Sequence, residues 1–251
     1  MIKTTTSSSP KRRRFLRLAV ELALAVLLLG AGLALRFVPS ARVQLSRLFG
    51  GGVHTVSSRL AQLRSTRPEL DDLARSAGGR IDILVFKRER RVEVHAPAWA
   101  TPIVMPMTAT SGKPGPKLRE GDRQIPEGVY RSAGLNPNSA FHVSMRVSYP
   151  NEEDRRHAKE DGRSRLGGDI FLHGGSGSVG CVAVGDQNAE VVFFLAAECG
   201  VESIVIAPYD MRKGRDTLYE SSIEAPSWYP KLLDAIELAM HKGAKNRDCQ
   251  Q

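Results

Sequence analysis

Residues 170–186, IFLHGGSGSVGCVAVGD, decide how this chain is read. They place His173 and Cys181 at the two ends of a glycine- and serine-rich turn that follows a short apolar strand. A thiol is a strong nucleophile only as thiolate. An imidazole that takes its proton, with backbone N–H groups to hold the oxyanion that forms, is the minimal machinery for acyl transfer. Between the two, residues 174–180 carry almost no side-chain bulk, so Gly174 and Gly175 let the chain fold back sharply and let a substrate approach the backbone. If the amides of Gly180 and Cys181 point inward where the next helix begins, they hold the oxyanion and the helix N-terminus depresses the thiol. Ser178 either supports the turn or receives a substrate carboxylate.

The same residues admit three other readings. Cys181 is also what a small buried hydrophobe beside Val179 and Val182 looks like, and His173 a satisfied strand-end histidine. Zinc is a second alternative, with His173, Cys181, Asp186 and Cys199 as conceivable ligands, but the paired C-x-x-C and H-x-x-x-H spacings are missing. A phosphate-binding loop is the third, and no Gly-Lys-Ser/Thr follows the glycines.

Outward from the turn, the pattern is that of a β-rich α+β domain in which a catalytic turn links a strand to a helix. Asp186 is placed to cap a helix that runs through Cys199, with Gly200 as its stop. Upstream, Ile81, Ile83 and Val85 alternate, and Val92 and Val94 do so again after the polar residues 87–91, which predicts a β-hairpin. Further strands are expected at 103–108, 128–131, 141–147, 168–172 and 203–207. Long loops rich in Pro, Gly, Asn and charge occupy 111–127 and 149–167, and loops of that length in a compact domain usually carry function. A second helix is expected at 230–241, with Leu232, Ile236 and Met240 on one face, followed by a disordered tail over 242–251. Residues 39–78 carry leucines at 45, 48, 60, 63, 70 and 73, broken by Gly50, Gly51 and Gly52, and read as a helical stalk or linker. The division expected is therefore 1–38 signal or anchor, 39–78 stalk, 79–215 catalytic domain, and 216–251 C-terminal helix and tail.

With 251 residues and 41% hydrophobic content, the chain supports one catalytic domain with appendages. The net charge of +9 invites a nucleic-acid reading, but residues 1–47 hold nine basic residues against Glu21 alone. Eight of the nine net charges therefore sit at that end, and a nucleic-acid partner loses its main support. That end has the form of an export signal: the polar tract TTTSSSP, the basic run Lys11 to Arg14, then residues 15–38, apolar except for Arg17, Glu21 and Arg36. Its uninterrupted apolar run, 22–35, is short for a span, so an uncleaved inner-membrane anchor and a cleaved signal with Gly32-Leu33-Ala34 as the site are both open. Arg12 to Arg17 also has the pattern of a twin-arginine signal. Each version delivers the rest of the chain to the periplasm or outside the cytoplasm. Three cysteines in an exported chain leave at least one unpaired, and Cys181 is the candidate, with Cys199 and Cys249 free to pair or stay inert.

The turn HGGSGSVGCVAVGD resembles the His-Gly...Ser-x-Gly-Cys signature of the L,D-transpeptidase (YkuD-type) catalytic domain. Residues 111–130, SGKPGPKLREGDRQIPEGVY, resemble the stretch before the catalytic turn in the YafK-like branch of that family. Leu135-Asn136-Pro137-Asn138-Ser139, Tyr149-Pro150-Asn151 and Asp154-Arg155 follow in the same order, so the resemblance covers about 81–208. It implies Cys181 as nucleophile and His173 as general base and later acid, the imidazole being oriented by a backbone carbonyl or small polar side chain not assignable from the sequence. Where many members carry His before the Gly-Cys pair and Arg two residues after the cysteine, this chain has Val179 and Ala183. The loop cations Lys113, Lys117, Arg119 and Arg123 are candidate replacements for gripping an anionic stem peptide, the other reading being a solvated loop. His157 matches a histidine of that branch and is expected either on the substrate side or as a supporting residue behind the site.

The function implied is L,D-transpeptidation on peptidoglycan tetrapeptide stems through a Cys181 thioester, with a diaminopimelate amine or an envelope lipoprotein as acceptor. Hydrolysis of the same thioester gives an L,D-carboxypeptidase or amidase, and a membrane-tethered, inactive wall-binding module is the non-enzymatic alternative. Thiol chemistry of this kind calls for no cofactor, and no motif supports a metal, a nucleotide or nucleic acid.

Overall fold

The computed structural model describes residues 53–248. Two helices come first, α1 (Val56–Thr66) and α2 (Glu69–Ser76). Thr55 starts α1 by accepting the Ser58 N–H on its hydroxyl, at 3.0 Å. Leu60, Leu63 and Leu70, part of the pattern that predicted a stalk, are buried in the same core as the sheet strands. Residues 56–76 are thus packed onto the domain, and the rest of that segment up to Gly52, with the export signal, lies outside the described residues.

The first sheet has five strands in the order β3-β2-β1-β9-β4, namely β1 (Ile81–Phe86), β2 (Arg91–His95), β3 (Ile103–Pro106), β4 (Gly128–Tyr130) and β9 (Val201–Ala207). The expected hairpin is β1 with β2, antiparallel, Val85 opposite Val92 and Ile83 opposite Val94. Strand β9 returns parallel to β1 on its other side. In β1 the two faces serve two cores. Ile81, Ile83 and Val85 join the larger one, whereas Leu84 and Phe86 join a second one covered by the C-terminal helix. Burial on both faces is what a sheet-centre strand parallel to its neighbour requires.

The second sheet, β5-β6-β7-β8, holds β5 (Ser132–Ser139), β6 (His142–Val147), β7 (Phe171–His173) and β8 (Val182–Ala183). Helix α4 (Asp186–Glu198) follows, with Val191, Val192, Phe193, Phe194 and Leu195 all buried. The fold class is mixed α+β and sheet-rich, as the pattern predicted.

Several elements escaped the sequence pattern. β5, SAGLNPNS, carries no period-two signal because it is an outer strand paired only with β6, its residues half-buried or exposed. Within the expected loop 149–167, α3 (Glu152–Glu160) forms because Asn151 and Asp154 make a capping box and three acidic residues fill the first turn. A short helix, α5 (Thr217–Ser221), precedes α6 (Tyr229–Asp248). The tail expected to be disordered from 242 is helical to Asp248, and α6 buries Leu232, Leu233, Ile236 and Met240 on the second core.

The other long loop, 111–127, is held from within and from below. Asp122 accepts from Lys117 Nζ at 2.6 Å and from the N–H groups of Leu118, Arg119 and Gln124. Although burial works against the ionised form, those donors keep the Asp122 carboxyl below its ordinary range. Lys87, from the end of β1, donates to Gly115 O, Ile125 O and Glu127 Oε1 at 2.7, 2.9 and 2.7 Å.

Candidate active site

His173 ends β7 and Cys181 precedes β8, and these two strands are parallel neighbours with Leu172 opposite Val182 and His173 opposite Ala183. Leu172 and Val182 point into the core. His173 lies opposite Ala183, and Cys181 is the residue just before β8, so the two are about two register positions apart on neighbouring segments. Strand spacing and rise put their Cα atoms about 8 Å apart. The glycine-rich turn is the crossover between the two strands.

The imidazole is 2% exposed, lies against the Phe141 ring at a centroid distance of 4.7 Å with the planes tilted by 35°, and its Nδ1 lies 2.6 Å from Gly174 O. A carbonyl only accepts, so Nδ1 carries the hydrogen and Nε2 presents a lone pair. Gly174 O is the orienting group that the sequence left unassigned. Burial lowers the His173 pKa from its ordinary value, against the opposing effect of that bond.

Cys181 is a half-buried free thiol whose Sγ donates to Asp169 O at 3.6 Å. Burial pushes the thiol up, and nearby Asp169 adds to this, whereas the Phe171 N–H and the Lys117 ammonium pull it down. Burial thus works against the charged form of both groups, lowering the imidazole and raising the thiol.

The two amides expected at the oxyanion position are engaged by hydroxyls. Gly180 N–H donates to Ser111 Oγ at 2.7 Å, and Cys181 N–H to Ser178 Oγ at 3.1 Å. Ser178 in turn donates to Cys181 O at 2.6 Å and Ser111 to Arg123 O at 2.8 Å. Ser178 therefore closes the turn, and Ser111 straps the long loop to it. Gly180, at φ +101°, leaves room for that strap, since a Cβ there would lie 3.0 Å from Gln124 O. Helix α4 begins five residues after Cys181, beyond β8, so its N-terminus does not start at that thiol as the sequence reading required.

Residues 81–202 match the YkuD family, the L,D-transpeptidase catalytic domain. The resemblance read from the sequence is borne out over that span, which starts at β1 and ends in β9. YafK of Escherichia coli (strain K12) is 29% identical over 143 residues, 54% of this chain and 56% of that protein. The chain thus matches about half the length of its curated relatives. Among solved structures, similarity extends to the helical cell shape determining protein Pgp2 of Campylobacter jejuni, at 20% identity, TM-score 0.41 and 56% of each chain. L,D-transpeptidase 1 of Mycobacterium tuberculosis is similar at 15% identity and TM-score 0.32, over 52% of this chain and 62% of that one.

Around the YkuD-type turn, the remaining expected residues fall into three groups. Lys113, Arg119 and Arg123 are exposed on the strapped loop and make no ion pair among the described residues, whereas Lys117 is buried against Asp122. Val179 stands at the tip of the turn, 73% exposed. His157, expected on the substrate side or behind the site, is 3% exposed and stacked on Trp228 at 4.1 Å, with Glu153 and Glu160 near its nitrogens. It sits in the interior, the supporting position of the two expected, and seats α3 against the start of α6. Of the side chains weighed for zinc, Cys199 donates to Ala74 O away from the turn, and Asp186 accepts the Gly175 N–H. Among the described residues, no group of three or more His, Cys, Asp or Glu is gathered as metal ligands.

Three contributors were missed in the sequence: Ser111, Phe141 and Thr108, whose hydroxyl donates to Gly175 O at 2.8 Å. Each lies more than thirty residues from the turn and has an ordinary side chain, so no local spacing marks it.

Proposed function

We propose that this protein is an L,D-transpeptidase acting on peptidoglycan tetrapeptide stems from the outer side of the inner membrane. The observation that carries the reading is that His173 ends β7 and Cys181 immediately precedes its parallel neighbour β8, with Nδ1 committed to Gly174 O and Nε2 left to take a proton. The family match over 81–202 gives the chemistry its substrate class.

In the first half-reaction, Nε2 of His173 takes the Cys181 proton as Sγ attacks the carbonyl between diaminopimelate and the terminal D-alanine. The tetrahedral oxyanion is held by turn N–H groups released from their serine hydroxyls, with the Gly180 amide foremost. The C–N bond breaks, the imidazolium returns its proton to the departing D-alanine amine, and a thioester remains on Cys181. In the second half-reaction a neutral amine, from another diaminopimelate or from an envelope lipoprotein, attacks the thioester. His173 takes its proton, and the thiol is restored. Lys113, Arg119 and Arg123, on a loop fastened to the turn, supply positive charge for the donor stem carboxylates and take the place of the polar residues absent at 179 and 183.

Incubation of the full chain with purified tetrapeptide muropeptides, followed by mass spectrometry, tests this. Cross-linked dimers with released D-alanine are expected, both lost in Cys181→Ala. D-Alanine release without dimers would assign the hydrolytic variant instead, and no Cys181-dependent product would overturn the reading.

A further inference from the structure

A single peptide unit, Gly174–Gly175, lies between two side chains. Its carbonyl accepts from His173 Nδ1 at 2.6 Å, and its N–H donates to Asp186 Oδ1 at 2.7 Å. The fit is close on the Asp186 side, where a Cβ on Gly174 would come within 2.5 Å of the same oxygen. Neighbouring contacts hold the rest of the dipeptide. Gly174 N–H donates to Phe141 O and Val143 O at 3.1 and 3.3 Å, and Gly175 O accepts from Thr108. All four backbone polar atoms of Gly174 and Gly175 are thus occupied.

Asp186 is the first residue of α4, and the N-cap, Gly185, makes no side-chain cap bond. The Asp186 side chain therefore turns back to the catalytic turn instead of capping its own helix. Two consequences follow from elementary electrostatics. A carboxylate drawing on the N–H polarises the peptide and makes its carbonyl a stronger acceptor. The same negative charge, across two hydrogen bonds and the width of a peptide, lies roughly 7 Å from Nδ1 and favours imidazolium over imidazole.

We propose that Asp186 is a positioning residue for His173, acting through the Gly174–Gly175 peptide to fix the imidazole's orientation and to stabilise the imidazolium formed when Cys181 gives up its proton. This rests on the general-base role proposed above for His173. Sequence spacing offered Asp186 only as a helix cap or a metal ligand. The other titratable groups near this unit are the Cys181 thiol and the cluster of His142, Glu190, Arg67 and Arg59. In that cluster His142 Nε2 lies 2.6 Å from Glu190 Oε1, and Arg67 pairs with Glu190 at 3.0 Å.

Asp186→Asn keeps an acceptor oxygen and removes the charge, whereas Asp186→Ala removes both. The readouts are the titration midpoint of the His173 ring resonances, assigned with His173→Gln, and the rate of Cys181 alkylation by iodoacetamide. The midpoint is expected to fall by about half a pH unit in D186N and by about one in D186A, from a unit charge at this range in a partly buried site. Alkylation at pH 7 in D186A is expected to slow about tenfold, with D186N in between. Midpoints unchanged in both variants overturn the proposal, and so does slower alkylation in D186A at an unchanged midpoint, which is what a merely structural role gives. Should D186A fail to fold, the D186N midpoint decides by the same criterion. A shifted midpoint with no muropeptide product would sink the proposed substrate and leave Asp186 in place, whereas Cys181-dependent product with no shift would sink Asp186 alone.

Discussion

Replacing Lys87 with Met removes a cation from beneath the loop that reaches the catalytic turn while keeping most of the side chain's volume. Lys87 Nζ has three partners, Gly115 O, Ile125 O and Glu127 Oε1, and its side chain is 10% exposed against 0% for Glu127. Glu127 keeps one other side-chain donor, Tyr229 OH. Without Lys87 a carboxylate in the interior and two loop carbonyls lose their partner together. Breaking a buried ion pair from one side costs about 3–5 kcal/mol, because the remaining charge has no water to turn to. In a domain of this size that corresponds to a fall in Tm of roughly 6–20 °C. Urea denaturation followed by tryptophan fluorescence reads the loss directly, since Trp228 and Tyr229 adjoin the network. The double variant Lys87→Met/Glu127→Gln is expected to recover part of it, because the unpaired charge is gone. A loss below about 1 kcal/mol in K87M, or no recovery in the double variant, refutes the reasoning that this pair anchors the loop.

Alkylation of Cys181 is expected to rise with pH to a midpoint above that of an unperturbed thiol, since burial raises the thiol and lowers His173. A fast, flat rate from pH 5 to 8 would instead reveal a preformed thiolate–imidazolium pair. The Asp154 carboxyl is raised by burial to about 6, despite bonds from Asn151 N–H and Tyr130 OH. Its folded pKa exceeds the unfolded one, so its contribution to stability is present below the unfolded pKa and is lost as pH rises toward 6. Asp154→Asn is expected to remove that slope and to gain about 2 kcal/mol at pH 7, measured by urea denaturation at several pH values; an unchanged slope argues against the assignment. His157→Ala is expected to cost about 2 kcal/mol through loss of its stack on Trp228 while leaving the half-saturating muropeptide concentration unchanged. A weakened donor affinity at unchanged stability would return His157 to the substrate side.

Much of this protein is written locally. The β1–β2 hairpin, the helix after Gly185, and the placing of His173 and Cys181 about a glycine turn are short-range patterns, and the likeness to the YkuD family model over 81–202 was legible in them. The elements it missed are those whose stability comes from elsewhere. Strand β5 has no alternation because β6 supplies its pairing, and α3 hides in a charged stretch because a capping box and its packing hold it more than apolar periodicity does. Leu60, Leu63 and Leu70 announced helices but not the core they enter. Around Cys181 the division is the same. Residue types and spacing named the thiol and the imidazole. Tertiary structure decided which carbonyl orients the ring, that Ser111 from a loop seventy residues away takes the Gly180 amide, that His157 is packed inside, and that Asp186 faces back to the turn. Hydrogen bonds between distant backbone atoms leave no mark in a linear pattern, because any residue can donate or accept through its main chain.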